Sequence, residues 1–336
     1  MCRQPYASHD TSVHWCFDDL SVDYKKTDEL KIVTHTTPMM ETRVKVTILG
    51  TAQDAGIPQA GCSCKRCINA HNFPEYKKYP VSIGIEGCDG SKHLLEITRN
   101  LPEQLKEWSG EVEPLGIFVP ETVTITHLHL GHIEGIGQFG KPVMNTSDLP
   151  IYLSEKNRES IEQRNDIQLM IKERNIKFEP QKYNHSFQPK EDCGFKLRLI
   201  PIPHRSELGD TAGIIIEGKK KNLLFLPDQD SWEKTLESFS VKDIRELFTL
   251  LEIDIAWIDG TFWNLKELPG RNLKEIPHPI IEESLELLGM RRPEDPEVSF
   301  IHLNHSNPVN DNDSTERKLV QSRGWSVCER NQTVTL

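Results

Sequence analysis

Three histidines lie within six residues in Thr126-His-Leu-His-Leu-Gly-His132, and His127, His129 and His132 are the side chains of this chain best suited to chemistry. Neutral imidazole nitrogen is a common ligand for Zn²⁺ and related divalent ions. On an extended backbone of period two, His127 and His129 project to the same side. The run follows the apolar segment 122–126, so it falls where a strand gives way to a loop, and such loops carry catalytic groups. Unrelated surface histidines are the alternative, which three so close behind an apolar strand disfavour.

A second constellation, Cys62-Ser-Cys-Lys-Arg-Cys67, holds three of the eight cysteines. Three thiolates and one further ligand close a tetrahedral zinc site, and closed sites are structural. Buried or redox-active thiols are the other reading of Cys62, Cys64 and Cys67. The remaining five, Cys2, Cys16, Cys88, Cys193 and Cys328, are scattered, and in a reducing compartment such a cluster points to metal rather than disulfides.

The elements that must position these residues are short. Val44, Val46 and Ile48 alternate with polar residues before Gly50, which predicts a half-buried strand entering a turn. Further strands are expected at 80–86, 93–97, 122–126, 195–202, 212–217, 222–227, 253–258 and 298–303. Between them, Asn100 is expected to cap a helix carrying Leu101, Leu105 and Trp108, and Ser154 to open a long polar helix. Ile244, Leu247, Phe248 and Leu251 make one apolar stripe, and a helix with Ile281, Leu285 and Leu288 ends at Gly289. Strands in two groups with helices interleaved predict a layered α/β architecture.

At 336 residues, with 27% charged and 36% hydrophobic residues, the chain can bury a substantial core. The polar, aperiodic stretch 1–43 reads as an N-terminal extension and 44–336 as one catalytic domain. A net charge of −11 argues against general nucleic-acid binding, which needs clustered Lys and Arg. No run approaches the length of a membrane span, and the first residues lack the apolar core of a signal peptide, so a cytoplasmic protein is expected. A small-molecule substrate is the expected partner, a homodimer being one arrangement that the sequence allows.

The histidine run resembles the metallo-β-lactamase superfamily, whose motif is His-x-His-x-Asp-His at the end of a strand in a four-layer αβ/βα sandwich. Gly131 stands here where the family has Asp. The resemblance implies further ligands at strand ends, matched in order by His204 after LRLIPIP, Asp228 after LLFLP and His302 after VSFI. It places His127, His129 and His204 on one divalent metal, His132 and His302 on a second, and Asp228 between them. The carboxylate missing at 131 leaves the second position to be completed by water or by another acid, for which Glu96, Glu134, Asp54 and Asp230 are all candidates.

The Gly-rich loop 50–61, the cysteine cluster, IDGTFW at 258–263 and IHLNHSNPVNDNDSTERK at 301–318 are similar to a narrower branch. It comprises the pyrroloquinoline quinone biosynthesis protein B family and the cyclic-phosphate phosphodiesterases of phosphonate breakdown, and the similarity runs from about residue 44 to the end. This branch implies that His305 is the fourth ligand of a structural zinc held by Cys62, Cys64 and Cys67. One or two divalent ions, Zn, Mn or Fe, are implied at the histidine site. A metal there lowers the pKa of bound water and supplies hydroxide, so hydrolysis of a small phosphodiester or other ester is expected, with Asp228 bridging, orienting water or shuttling a proton. Arg205 either holds a substrate anion or pairs with Glu207 or Asp210; Asp259 either orients a ligand histidine or caps the following turn. An iron-dependent oxidoreductase, implied by the quinone-biosynthesis branch, and a non-enzymatic metal-binding protein are the competing readings.

Overall fold

The computed structural model describes residues 43–110, 116–205, 207–268 and 276–336. The expected extension, 1–43, therefore lies outside the described residues apart from Arg43. Glu41–Leu336 forms one compact unit.

Among the described residues, fourteen strands form two seven-stranded sheets. The first contains β1 (Lys45–Gly50), β2 (Ser82–Glu86), β3 (Lys92–Leu95), β4 (Thr122–Thr124), β5 (Leu149–Ser154), β6 (Ile176–Gln181) and β14 (Thr333–Thr335), in the order β14-β1-β2-β3-β4-β5-β6. The second contains β7 (Ser186–Phe187), β8 (Lys196–Ile202), β9 (Thr211–Glu217), β10 (Asn222–Leu226), β11 (Ile255–Asp259), β12 (Glu297–Ile301) and β13 (Ser326–Val327), in reverse chain order from β13 to β7. The helices are α1 (Lys65–Asn72), α2 (Leu101–Trp108), α3 (Leu130–Ile133), α4 (Glu155–Ile161), α5 (Asn165–Lys172), α6 (Trp232–Ser238), α7 (Ile244–Leu251), α8 (Ile281–Leu288) and α9 (Thr315–Ser322).

Three apolar layers give the αβ/βα order. Val46, Ile48, Ile83 and Ile85 of the first sheet meet Leu197, Leu199, Ile214 and Phe225 of the second in the central layer. Leu94, Val123 and Ile151 turn the other way, onto Leu101, Leu105, Ile161 and Ile167 of the first helical layer. Leu224, Ala256 and Phe300 bury Trp232, Leu247, Phe248 and Leu285 of the second. Where a sheet is covered on both faces its strands read as continuous apolar runs, as β9, β10 and β11 do. At Gly84 a side chain is excluded: a Cβ there would stand 2.3 Å from the Trp108 ring, so α2 packs directly on the β2 backbone.

Every expected strand is present, with ends shifted by a few residues. β5, β6 and the short β7, β13 and β14 are additional; β5 and β6 each carry a proline (Pro150, Pro180) that weakens a strand pattern read along the chain. The expected long helix after Ser154 is two helices, broken at Arg164, whose backbone is extended. Ser154 does cap the first, accepting from Asn157 N, but Asn100 makes no side-chain cap, its amide donating instead to Glu103. Gly289 ends α8 with φ 62° and ψ −150°, outside the left-handed helical cap but in a region open essentially to glycine alone.

Candidate metal centre

The C-terminal ends of the central strands open on one edge, where an α/β sheet places its ligands. Asp54 lies on the loop after β1, Glu96 directly after β3 and the histidine run after β4; His204, Asp228, Asp259 and His302 follow or end β8, β10, β11 and β12. Glu96 and His302 take left-handed φ angles of 69° and 64°, uncommon for residues with a side chain and a form of strain concentrated at functional sites.

The ring nitrogens of His127, His129 and His204 lie within 4.8 Å of one another. Asp228 Oδ2 is 3.1 Å from His132 Nε2 and 3.7 Å from His302 Nε2, while Asp228 Oδ1 is 3.8 Å from His204 Nε2, so this carboxylate stands between the two groups of imidazoles. Asp228, His127, His132, His204 and His302 are all buried. Within this cluster His129 Nε2, both ring nitrogens of His132 and His204, and Asp228 Oδ2 have no hydrogen bond. Buried polar atoms are almost always hydrogen-bonded. Of these orphans, His132 Nε2, His204 Nε2 and Asp228 Oδ2 face the centre while the other nitrogens turn towards Glu96, Asp230 and Glu207, and the converging three fit bound divalent ions, which would satisfy them together.

The electrostatics suit that use. Burial, joined by the His132 charge, holds His127 well below its ordinary value, and burial brings His204 down to about 4. Burial and the Arg205 guanidinium lower His129. These rings are neutral at physiological pH, as ligands must be. His132 is the exception: burial opposes its charge, but Glu96 and Asp228 prevail and raise it well above the usual value. Burial likewise opposes the Asp228 anion, yet His302 and His132 hold it well below the carboxylate range.

Partners behind the rings orient them. Thr126 Oγ1 lies 2.9 Å from His127 Nδ1, and Thr261 Oγ1 lies 2.9 Å from His302 Nδ1 while donating to Asp259 Oδ1 at 2.7 Å. With Nδ1 engaged, the Nε2 lone pair of each ring faces the centre. Glu96 accepts from Thr126 N at 3.2 Å and reaches His132 Nδ1 at 3.3 Å, the ring nitrogen turned away from Asp228. Asp230 stands 3.4 Å from His204 Nδ1 and is bound by Lys234 at 2.6 Å. Arg205 is exposed, 3.9 Å from Glu207, its backbone N–H donating to Asp230.

One residue of the centre escaped the sequence reading. His278 Nδ1 lies 2.7 Å from Asp259 Oδ2 and 3.8 Å from Asp228 Oδ1, joining His204 and Asp228 in a third donor group. Among the described residues no strand ends directly before it, so a search of strand ends passes over it. The His-Pro step just ahead of α8 is its only mark in the chain.

The cysteine cluster is separate. Cys62, Cys64 and Cys67 Sγ lie 3.6, 3.7 and 3.7 Å from His305 Nδ1. Zn–S and Zn–N bonds of about 2.3 and 2.0 Å at tetrahedral angles put sulfur and nitrogen roughly 3.5 Å apart, so the four donors fit one zinc. His305 is on the loop after β12 and the thiols lie at the start of α1, so such an ion pins the first loop to the last site strand.

A model of the beta-lactamase superfamily domain matches residues 112–303, more than half of the chain. The chain belongs to the beta-lactamase superfamily. Within that superfamily its sequence is 22% identical over 316 residues to the coenzyme PQQ synthesis protein B of Bradyrhizobium diazoefficiens, covering 84% of this chain and 97% of that protein. The same-named protein of Nitrosococcus oceani is 23% identical over 313 residues, covering 83% and 96%. Among solved structures, Zn(2+)-bound PqqB from Methylobacterium extorquens superposes with a TM-score of 0.70 at 20% identity, over 87% of this chain and 100% of that one. A diphosphatase of the PhnP family superposes with a TM-score of 0.61 at 16% identity, over 88% and 97%. At these identities the structural likenesses establish the metallo-β-lactamase fold. Among the described residues no helix is long and apolar enough to cross a membrane.

Proposed function

We propose that the protein is a metal-dependent hydrolase acting on a small phosphodiester or other ester. The observation that carries this reading is the convergence of buried imidazole nitrogens without hydrogen bonds on the two oxygens of Asp228. His127, His129 and His204 would hold one divalent ion, Zn, Mn or Fe. His132 and His302 would hold a second, Asp228 would lie between the two, and Cys62, Cys64, Cys67 and His305 would hold a structural zinc. Divalent ions there supply Lewis acidity and bring the pKa of a bound water close to neutrality.

The chain's own residues prepare the site for that chemistry. Asp228 stays ionised, so its oxygens can hold a cation and orient a water. Thr126, Thr261 and Asp259 keep the ring faces fixed, which removes reorganisation from the reaction. Arg205, exposed and close enough to bear on the His129 ring, can receive a phosphate or carboxylate of the substrate.

The test is hydrolysis of an activated phosphodiester by metal-replete protein and its loss in His127→Ala. Turnover should fall by more than about 100-fold, since loss of a partner merely behind a ligand costs about 10- to 100-fold. Unchanged turnover in a folded His127→Ala protein would sink the reading.

A second reading, iron-dependent oxidation, draws on the near full-length match to the coenzyme PQQ synthesis proteins. Iron retained after anaerobic purification, with oxygen consumed on addition of a substrate, would favour it over hydrolysis.

A further inference from the structure

We propose that Asp54 supplies the carboxylate that Gly131 cannot, completing the second metal position from a different loop, and that residue 131 is glycine because the Asp54 side chain fills the space beside it. This rests on the two-ion centre proposed above.

The space argument is direct. A Cβ built on Gly131 would stand 2.2 Å from Asp54 Oδ1, 2.3 Å from its Cγ and 2.5 Å from its Cβ. Gly131 lies inside α3, in a helical conformation that any residue can adopt, so no backbone requirement calls for glycine. Room for the Asp54 carboxylate does.

The donor argument is independent of it. Asp54 Oδ1 is 3.4 Å from His132 Nε2 and 3.3 Å from His302 Nε2, the two nitrogens that Asp228 Oδ2 also approaches. Asp54, His132 and His302 thus form one donor group, with Asp228 Oδ2 close to both imidazoles, a set suited to a divalent ion. The other candidate acids are turned elsewhere. Glu96 meets His132 at Nδ1, Asp230 sits behind His204, and Glu134 is paired with Arg99 at 2.8 Å on the surface. Asp54 alone of the four meets the histidine nitrogens on the side where the ion would lie.

The exchange changes what the second ion depends on. An aspartate at 131 would be rigidly tied to His132 by one helical turn. Asp54 instead rides on a loop whose Gln53 N–H donates to Leu303 O at 2.9 Å, directly after His302, and whose later residues carry Cys62, Cys64 and Cys67.

The experiment counts metal on the full chain. Wild type, Asp54→Ala, Gly131→Asp and the double variant Asp54→Gly/Gly131→Asp are loaded with cobalt and analysed for ions per chain. The thiolate-to-cobalt absorption reports separately on the cysteine cluster. Wild type should hold two ions beyond the cysteine cluster, and Asp54→Ala should lose one or bind it at least about 100-fold more weakly. The double variant should recover it, while Gly131→Asp alone should not improve on wild type. Retention of the second ion at unchanged affinity in Asp54→Ala, with the thiolate band and thermal unfolding intact, would overturn the proposal. So would a wild type that holds only one ion at the histidines. Two ions in wild type, one in Asp54→Ala and no hydrolysis of any ester would leave this assignment standing and refute the hydrolase reading instead.

Discussion

Asp259 Oδ2 lies 2.7 Å from His278 Nδ1, and this contact between two covered side chains holds the rear of the metal centre together. The same carboxylate accepts from Thr261, which positions His302, and from the backbone N–H of Gln229 beside Asp228 at 3.2 Å. Burial opposes a charge on His278, but Asp259 overcomes it and raises the ring's pKa. Asp259→Asn keeps the shape and removes the anion. Metal affinity at the histidine centre should fall by about 10- to 100-fold, the usual cost of losing a partner behind a ligand. Calorimetric titration of the metal-free variant checks this, and an affinity within experimental error of wild type would show that Asp259 serves only its turn.

Cys64 is exposed and Cys67 buried, so the cysteine cluster opens to solvent on one side. Cys64→Ser should release one zinc per chain and destabilise the fold by several kcal/mol, because the binding energy of a structural zinc is folding energy. Because loop 51–67 also carries Asp54, ions at the histidines should weaken in the same variant. Elemental analysis with chemical denaturation reads both effects; full zinc content at wild-type stability would exclude a closed four-ligand site.

Glu267 is an acid that should make stability fall with rising pH. Burial pushes its pKa from 4.5 up to about 7, against the opposing hydrogen bonds from Ser306 and the backbone N–H of Trp263. A folded-state pKa above the unfolded value means that the folded protein binds the proton more tightly. The stability this contributes is fully present below about pH 4.5 and is lost as pH rises through about 7. Near 1.4 kcal/mol per unit, the loss is about 3 kcal/mol. Glu267→Gln should remove this slope, so the difference in urea midpoints between variant and wild type should widen from pH 4 to pH 8. Parallel midpoints across that range would contradict the assignment.

Much of the fold was legible because buried strands announce themselves as short apolar runs. The central strands of the second sheet were placed within a few residues from runs such as LLFL and IAWI. β5 and β6 were not, since proline interrupts each pattern and only pairing with β4 and with each other makes them strands. Helix ends show the same division. Ser154 capped as its type predicts, whereas Asn100 lost its capping role to a local bond with Glu103.

The ligand types were legible for a related reason: clustered histidines and cysteines have few other uses at such spacing. The sequence by itself determined the histidine run, the cysteine cluster and the strand-end positions of His204, Asp228 and His302, because local patterning dictates where strands stop. It also showed that position 131 lacks an acid and put Glu96 first, at a strand end, with Glu134, Asp54 and Asp230 as other candidates. Only the tertiary structure decided which carboxylate stands beside His132 and His302, and only it brought His278 onto Asp259. Both depend on which loops meet at the sheet edge, and packing of whole layers, rather than any residue's neighbours in the chain, sets that meeting.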